Sequence, residues 1–231
     1  KSEALEEELE KLMTGTAEQN MNGSVVVMKV QTGEIIAITS KPSFDPNKFA
    51  AGISPKNWRD LVTDEWHPLQ NRSIHGQYPP GSTYKIVTAL AGLEEGVIKP
   101  DTSVFCPGSF KLGRGRYRCW KKSGHGSMNL HDALVQSCDV YFYKLAHDLG
   151  IQRLHNALSK FGFGVATGVD IPGEAAGLVP SPDWKFRTHG SSWYTGETVI
   201  AGIGQGFLLV TPLQLAYVTA IIANRGEAPI P

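Results

Sequence analysis

The stretch that most constrains this chain is Tyr78-Pro79-Pro80-Gly81-Ser82-Thr83-Tyr84-Lys85. The two prolines hold the approach extended, since each fixes its own φ and pushes the residue before it out of the helical region. Gly81 then permits a sharp turn. The pattern predicts a helix from Ser82, with Ile86, Ala89, Leu90 and Leu93 on one buried stripe and Gly96 as its stop. Ser82 would sit where free backbone N–H groups and the helix dipole favour negative charge developing on oxygen. Lys85 lies three residues on, which puts its amine on the same face as the Ser82 hydroxyl. A hydroxyl beside a buried amine is a nucleophile with its base, an arrangement suited to acyl transfer. A solvated lysine on an ordinary helix has the same spacing, so this single Ser-x-x-Lys needs support from elsewhere.

Composition narrows the setting. With 231 residues, 41% apolar and 19% charged, the chain is long enough for one large domain with a substantial core. Its 22 basic and 22 acidic residues cancel, which argues against a nucleic-acid partner. No basic run suggests a membrane surface, and no apolar run is long enough to span a bilayer. Three cysteines exclude a fully paired disulfide framework within one chain.

Ser2–Leu12 reads as a short amphipathic helix, and Ser24–Ile38 as a β-hairpin with buried strands turning at Gln31-Thr32-Gly33. Residues 41–60 read as a Pro- and Asn-rich connection. Residues 99–128 form a long insertion of short elements with a basic hairpin-like piece, Lys111 to Arg116. A helix is expected from Asn129, then a turn at Ser137-Cys138-Asp139, then a helix stopping at Gly150 and a further helical repeat through Phe161. Residues 165–189 read as turns. Thr211-Pro212-Leu213-Gln214 combines an N-cap, a first-turn proline and a capping-box glutamine, and opens a last helix ending near Asn224.

A serine acyl transferase needs a polar group across the cleft from its nucleophile. Ser137 and Asp139 fit that role, Ser137 passing a proton and Asp139 holding Lys85 or a substrate amide. The same tripeptide could equally be an ordinary polar helix-to-helix turn.

Ser-x-x-Lys followed by Ser-x-Asp resembles the serine acyl transferases that penicillin inhibits. The resemblance extends through Pro79-Pro80-Gly81-Ser82-Thr83-Tyr84-Lys85, Trp120-Lys121-Lys122-x-Gly124-His125-Gly126, Ser137-x-Asp139-x-x-Phe142-Tyr143 and Gly202-Ile203-Gly204-Gln205-Gly206. Together with the opening hairpin, these are similar to the penicillin-binding protein 2 family, class B transpeptidases of cell-wall elongation. The likeness runs from about Gly23 to the last residue. It implies an α+β (α/β) fold of the serine β-lactamase and DD-transpeptidase type, with a helical lobe and an antiparallel sheet.

The resemblance implies a peptidoglycan DD-transpeptidase with catalytic Ser82, Lys85, Ser137 and Asp139, and with Gly202, Gly204 and Gln205 bordering the substrate. The implied partners are stem peptides, β-lactams that acylate Ser82, and a cell-wall glycosyltransferase. No cofactor is implied for catalysis. The implied location is the periplasmic face of a bacterial inner membrane, reached through an N-terminal anchor outside these residues, this stretch itself being soluble.

The family's Lys-Thr/Ser-Gly strand is not found before Pro231; Thr14-Gly15-Thr16-Ala17 lacks the preceding lysine. The chain is therefore expected to be a single domain, incomplete at its C-terminal side, with an impaired acylation rate. A serine β-lactamase and a β-lactam-sensing receptor domain are the alternatives. No carboxylate stands out as the base a hydrolytic water would need.

Cys106, Cys119, His125 and Cys138 form a second constellation. Cys138 lies between Ser137 and Asp139, so its side chain should point away from the cleft. Three thiolates and an imidazole are a common structural zinc set, although the spacing is not that of a zinc finger. A zinc ion accounts for all three thiols. The other reading is a Cys106–Cys119 disulfide with His125 an ordinary loop histidine.

Overall fold

The computed structural model describes residues 22–50 and 52–231. The expected N-terminal helix and Thr14–Ala17 lie outside them. In chain order the first elements are β1 (Gly23–Met28), β2 (Ile35–Lys41), α1 (Asn47–Ala50) and α2 (Pro55–Thr63). A 3-10 turn at Gly81–Tyr84 leads into α3 (Lys85–Glu94). Four short strands follow: β3 (Val104–Cys106), β4 (Ser109–Leu112), β5 (Gly115–Arg118) and β6 (Gly126–Met128). The remaining helices are α4 (Leu130–Val135), α5 (Asp139–Lys160), α6 (Pro182–His189), α7 (Thr195–Ala201) and α8 (Pro212–Ala223). Mixed helices and antiparallel strands agree with the fold class read from the sequence.

Two compact units emerge. The first comprises the described residues through Gln77 with Val165–Ala176 and Val210–Pro231. Here β1 and β2 pair antiparallel with a bulge at Val27/Met28, and α8 packs on β1. The strands are half-buried rather than buried, Ala37 alone being fully enclosed, because a two-stranded ribbon leaves each residue partly open. Thr211 and Gln214 form the expected capping box. The Gln214 side chain is 1% exposed, and its amide donates to the Val165 and Ala176 carbonyls at 2.8 Å each. A buried amide satisfied in this way pins the segment between those two carbonyls.

The second unit comprises Tyr78–Gly164 and Gly177–Leu209. Its centre is α5, against which α3 and α7 pack. Tyr141, Phe142, Leu145, Leu154 and Leu158 from α5 are enclosed with Val199 and Leu208. Side chains of this size contribute about 1.5–3 kcal/mol each when fully buried. Gly150, at φ 74 and ψ 161, breaks α5 into two helical segments, as the sequence predicts. β3 pairs with β6, and β4 with β5 as the expected basic hairpin.

Three further expectations change. The 41–60 and 165–189 stretches contain helices α1, α2 and α6. Ser82 lies inside a 3-10 turn, and the α-helix begins only at Lys85. The buried face of α3 is Lys85, Thr88, Ala89 and Gly92 with Val87 and Ala91, while Ile86 is 44% exposed. The residues turned inward are those that form the Lys85 ion pair and let Leu145 approach Gly92, not the most apolar ones.

Candidate active site

The site is assembled from the 3-10 turn, the start of α3, and the junction of α4 with α5. Ser82 is exposed at the turn, whereas Lys85 is 2% exposed. The Lys85 amine donates to the Ser137 carbonyl at 2.9 Å, the Ser137 hydroxyl at 2.9 Å and Asp139 Oδ1 at 2.7 Å. Three acceptors meet the three N–H groups of an ammonium. The structure thus brings Lys85, Ser137 and Asp139 together. The Ser82 hydroxyl makes no hydrogen bond among the described residues; its tie to the group is the turn that carries it.

Ser137 reaches this place through a left-handed backbone, φ 50, unusual for a residue with a side chain. Such a conformation persists only where surroundings enforce it. Here Cys138 N–H bonds the Ala133 carbonyl, and α5 starts at once with Asp139. Trp120 supplies contacts that the sequence reading missed. Its backbone N–H donates to Asp139 Oδ2 at 2.9 Å, and its indole N–H to the Gln136 and Ser137 carbonyls at 3.1 and 3.2 Å. The available signal was the Trp-Lys-Lys-x-Gly-His-Gly run in which it lies.

The glycine stretch buttresses the turn. The Gly81 N–H donates to the Gly204 carbonyl at 2.8 Å, and Gly204, at φ 72, lies so close to Gly81 that a Cβ there would enter its backbone. Gly202 is buried against Ala146, and its carbonyl accepts from Thr88 Oγ1 at 2.9 Å. Gln205 is exposed beside Gly81. Of the three residues expected to border a substrate, Gln205 faces solvent, while Gly202 and Gly204 are enclosed beneath the turn.

Residues 23–231 match the penicillin binding protein transpeptidase domain. The chain belongs to this family. Over 211 residues it is 47% identical to the peptidoglycan D,D-transpeptidase MrdA of Acinetobacter baumannii, covering 90% of this chain and 31% of that one. It therefore spans about a third of its curated relative. The solved structure of PBP2 from Helicobacter pylori superposes with a TM-score of 0.93 at 39% identity, covering 99% of this chain and 42% of that one. A penicillin G acyl-enzyme complex of penicillin-binding protein A from M. tuberculosis gives 0.82 at 27% identity, over 94% of this chain and 50% of the other.

This transpeptidase-family domain also gathers the second constellation. The ligand atoms of Cys106, Cys119, His125 and Cys138 lie within 4.8 Å of one another. All three cysteines are unpaired and buried. His125 Nδ1 is 3.6 Å from Cys106 Sγ and 3.5 Å from Cys119 Sγ, and its Nε2 is buried without a hydrogen-bond partner among the described residues. Burial, and then the Lys121 charge, lower the His125 pKa and favour the neutral ring a metal needs. Burial pushes the Cys138 thiol up to about 12, with the neighbouring Cys106 adding to it. Cys138 turns toward this cluster while its neighbours turn to Lys85, as the alternation in the tripeptide suggests. No helix of the described residues is long and apolar enough to cross a membrane.

Proposed function

We propose that this domain is the catalytic part of a peptidoglycan DD-transpeptidase acting through Ser82. The observation that carries the reading is the buried Lys85 amine held between the Ser137 hydroxyl and Asp139, three residues from an exposed serine. Ser82 Oγ attacks the penultimate D-alanine carbonyl of a stem peptide, and Lys85, acting in its free-amine form, takes its proton. Ser137 gives its hydroxyl proton to the D-alanine nitrogen and is reprotonated by Lys85, and the C–N bond breaks. The amine of a second stem peptide then attacks the ester, its proton passes through Lys85 to Ser82 Oγ, and the C–O bond breaks as the cross-link forms. Asp139 positions Lys85, and Gln205 borders the substrate. Gly202 and Gly204 shape the floor beneath it.

A β-lactam acylates the same serine because its strained amide takes the place of the D-alanine bond. The domain works on newly made glycan at the outer face of the inner membrane, beside the glycosyltransferase that polymerises it. The test is labelling of the intact protein with a fluorescent penicillin, followed by mass mapping. Ser82→Ala should abolish the label and Lys85→Ala most of it, since general base assistance is worth about 100- to 10,000-fold. Label on Ser137 would overturn the assignment.

We further infer a structural zinc ion held by Cys106, Cys119, His125 and Cys138. A tetrahedral ion with Zn–S near 2.3 Å and Zn–N near 2.0–2.1 Å spaces nitrogen and sulfur ligands about 3.5–3.6 Å apart. The His125 Nδ1 distances to Cys106 and Cys119 have that spacing. Four protein ligands leave no open position, so the ion would clip the insertion to the Ser137 turn and take no part in bond making.

A further inference from the structure

The β4–β5 hairpin carries charge that the fold does not use. Between residues 102 and 131 there is no Asp or Glu, yet there are six cations: Lys111, Arg114, Arg116, Arg118, Lys121 and Lys122. In a chain whose 22 basic and 22 acidic residues balance, that segregation is local and strong. The register sets Lys111 opposite Arg116, and Ser109 opposite Arg118. Since side chains alternate across a strand, Lys111, Arg116 and Arg118 share one face, and all three are exposed.

The reverse face is apolar and fixed. Phe110 and Tyr117 lie against the Tyr143 ring of α5, with centroids 6.5 and 5.7 Å away. Gly196 of α7 leaves room for the Tyr117 hydroxyl that any side chain there would fill. Like charges directly opposite across an antiparallel pair are destabilising. None of the six cations pairs with a carboxylate among the described residues. The one side-chain bond at this face is Arg116 Nε to Ser109 Oγ at 3.0 Å, which leaves the outer guanidinium N–H groups open.

β5 also leads into the site. The Arg118 carbonyl accepts from the Tyr143 hydroxyl at 3.2 Å, and Tyr143 lies one turn along α5 from Asp139. Two residues after Arg118, the Trp120 N–H holds Asp139. The row of cations therefore ends two residues before Trp120, whose backbone N–H holds the aspartate that holds Lys85.

We propose that this face binds the carboxylates of an acidic peptide, the uncross-linked stem peptide being brought to the acyl-enzyme; this rests on the transpeptidase reading. Residues two apart on a strand stand about 7 Å apart, as do alternate side chains of an extended peptide laid beside it. Arginine engages a carboxylate through two parallel N–H bonds, which gives direction as well as attraction. A bilayer is the less suitable occupant, because surface-seeking segments set several apolar side chains among their cations; none lies between Lys111, Arg116 and Arg118, and exposed Trp120 beyond them is tied by its indole N–H to the Gln136 and Ser137 carbonyls.

The experiment compares the intact protein with its K111E/R116E variant. The probes are a soluble stem pentapeptide with free carboxylates, the same peptide amidated, and phosphatidylglycerol vesicles. Peptide binding is read by fluorescence anisotropy at low and high salt. The variant should take a fluorescent penicillin on Ser82 at the normal rate, while its Kd for the acidic peptide rises about tenfold. That difference should shrink at high salt and vanish with the amidated peptide. An unchanged Kd for the acidic peptide overturns the proposal. So does loss of vesicle binding alone, which would give the face to the membrane. Failure of the unmodified protein to take penicillin would instead sink the transpeptidase reading, whatever the peptide does.

Discussion

Lys85 Nζ and Asp139 Oδ1 lie 2.7 Å apart although 54 residues separate them. The lysine side chain is 2% exposed and the aspartate 13%, so each removes the other's cost of burial. Replacing one partner of such a pair leaves an uncompensated charge. Asp139→Leu should lower stability by about 3–5 kcal/mol in urea titrations and abolish penicillin labelling. Asp139→Asn keeps one acceptor oxygen but not the charge that Lys85 needs, so it should recover only part of that loss. Wild-type stability in Asp139→Asn would show that the charge of the pair is not what holds this junction.

Gly204 and Gly96 both have positive φ, 72 and 66, but only Gly204 has backbone against it. Gly96→Ala should therefore cost about 1–2 kcal/mol, the strain of the left-handed conformation alone. Gly204→Ala adds a collision with Gly81, so its loss should be larger. Its penicillin acylation rate should also fall, because the Ser82 turn must move. Wild-type acylation by the Gly204 variant would detach the floor from the nucleophile.

Cys138→Ser tests the metal and the junction together. Elemental analysis should find stoichiometric zinc in the intact protein and none in this variant, with a lower Tm and Ser82 still in place. A metal-free protein with a Cys106–Cys119 disulfide and one free thiol would refute the zinc assignment.

Tyr143 gives a pH signature. Burial, and then the Asp139 charge, push its hydroxyl up from 10.0 to about 12. The folded state therefore holds a proton that the unfolded chain releases first. Stability is full below pH 10 and should be lost as pH rises from 10 through about 12. Tyr143→Phe should flatten that part of the profile in circular-dichroism melts, at the expense of the bond to the Arg118 carbonyl. An identical alkaline slope in both proteins would remove Tyr143 from the account.

The site was legible where chemistry is local. Ser82, Lys85 and the Ser137–Asp139 turn carry their spacing in the sequence, and Gly150 and Thr211-Pro212-Leu213-Gln214 mark their boundaries with unambiguous residue types. The buried face of α3 was not legible. Lys85, Thr88, Ala89 and Gly92 follow helical spacing, but two are polar and two are small, so hydropathy picks out Ile86 and Leu90 instead. Burial there follows from the ion pair and from close helix packing, neither of which hydropathy reports.

The missed helices teach a different point. Ser54-Pro55, Ser181-Pro182 and Thr211-Pro212 each open a helix with the hydroxyl accepting a backbone N–H. The third was recognised because an apolar run follows. The first two begin short helices with few apolar residues, so the same cap lacked its usual company. Trp120 was missed for another reason: its bond to Asp139 comes from the backbone, and no side-chain pattern announces it.

The Gly81–Gly204 packing also has a temporal meaning. The Thr88 bond to Gly202 alone bridges 114 residues, and the turn bearing Ser82 rests on that distant segment. A chain growing from its N-terminus at about 5–20 residues per second has Ser82 several seconds before it has Gly204 to pack beneath it. Until then the serine is an ordinary hydroxyl on an unfinished polypeptide. On the transpeptidase reading the reactive centre is a late product of synthesis, and a nascent chain would not be labelled by a penicillin.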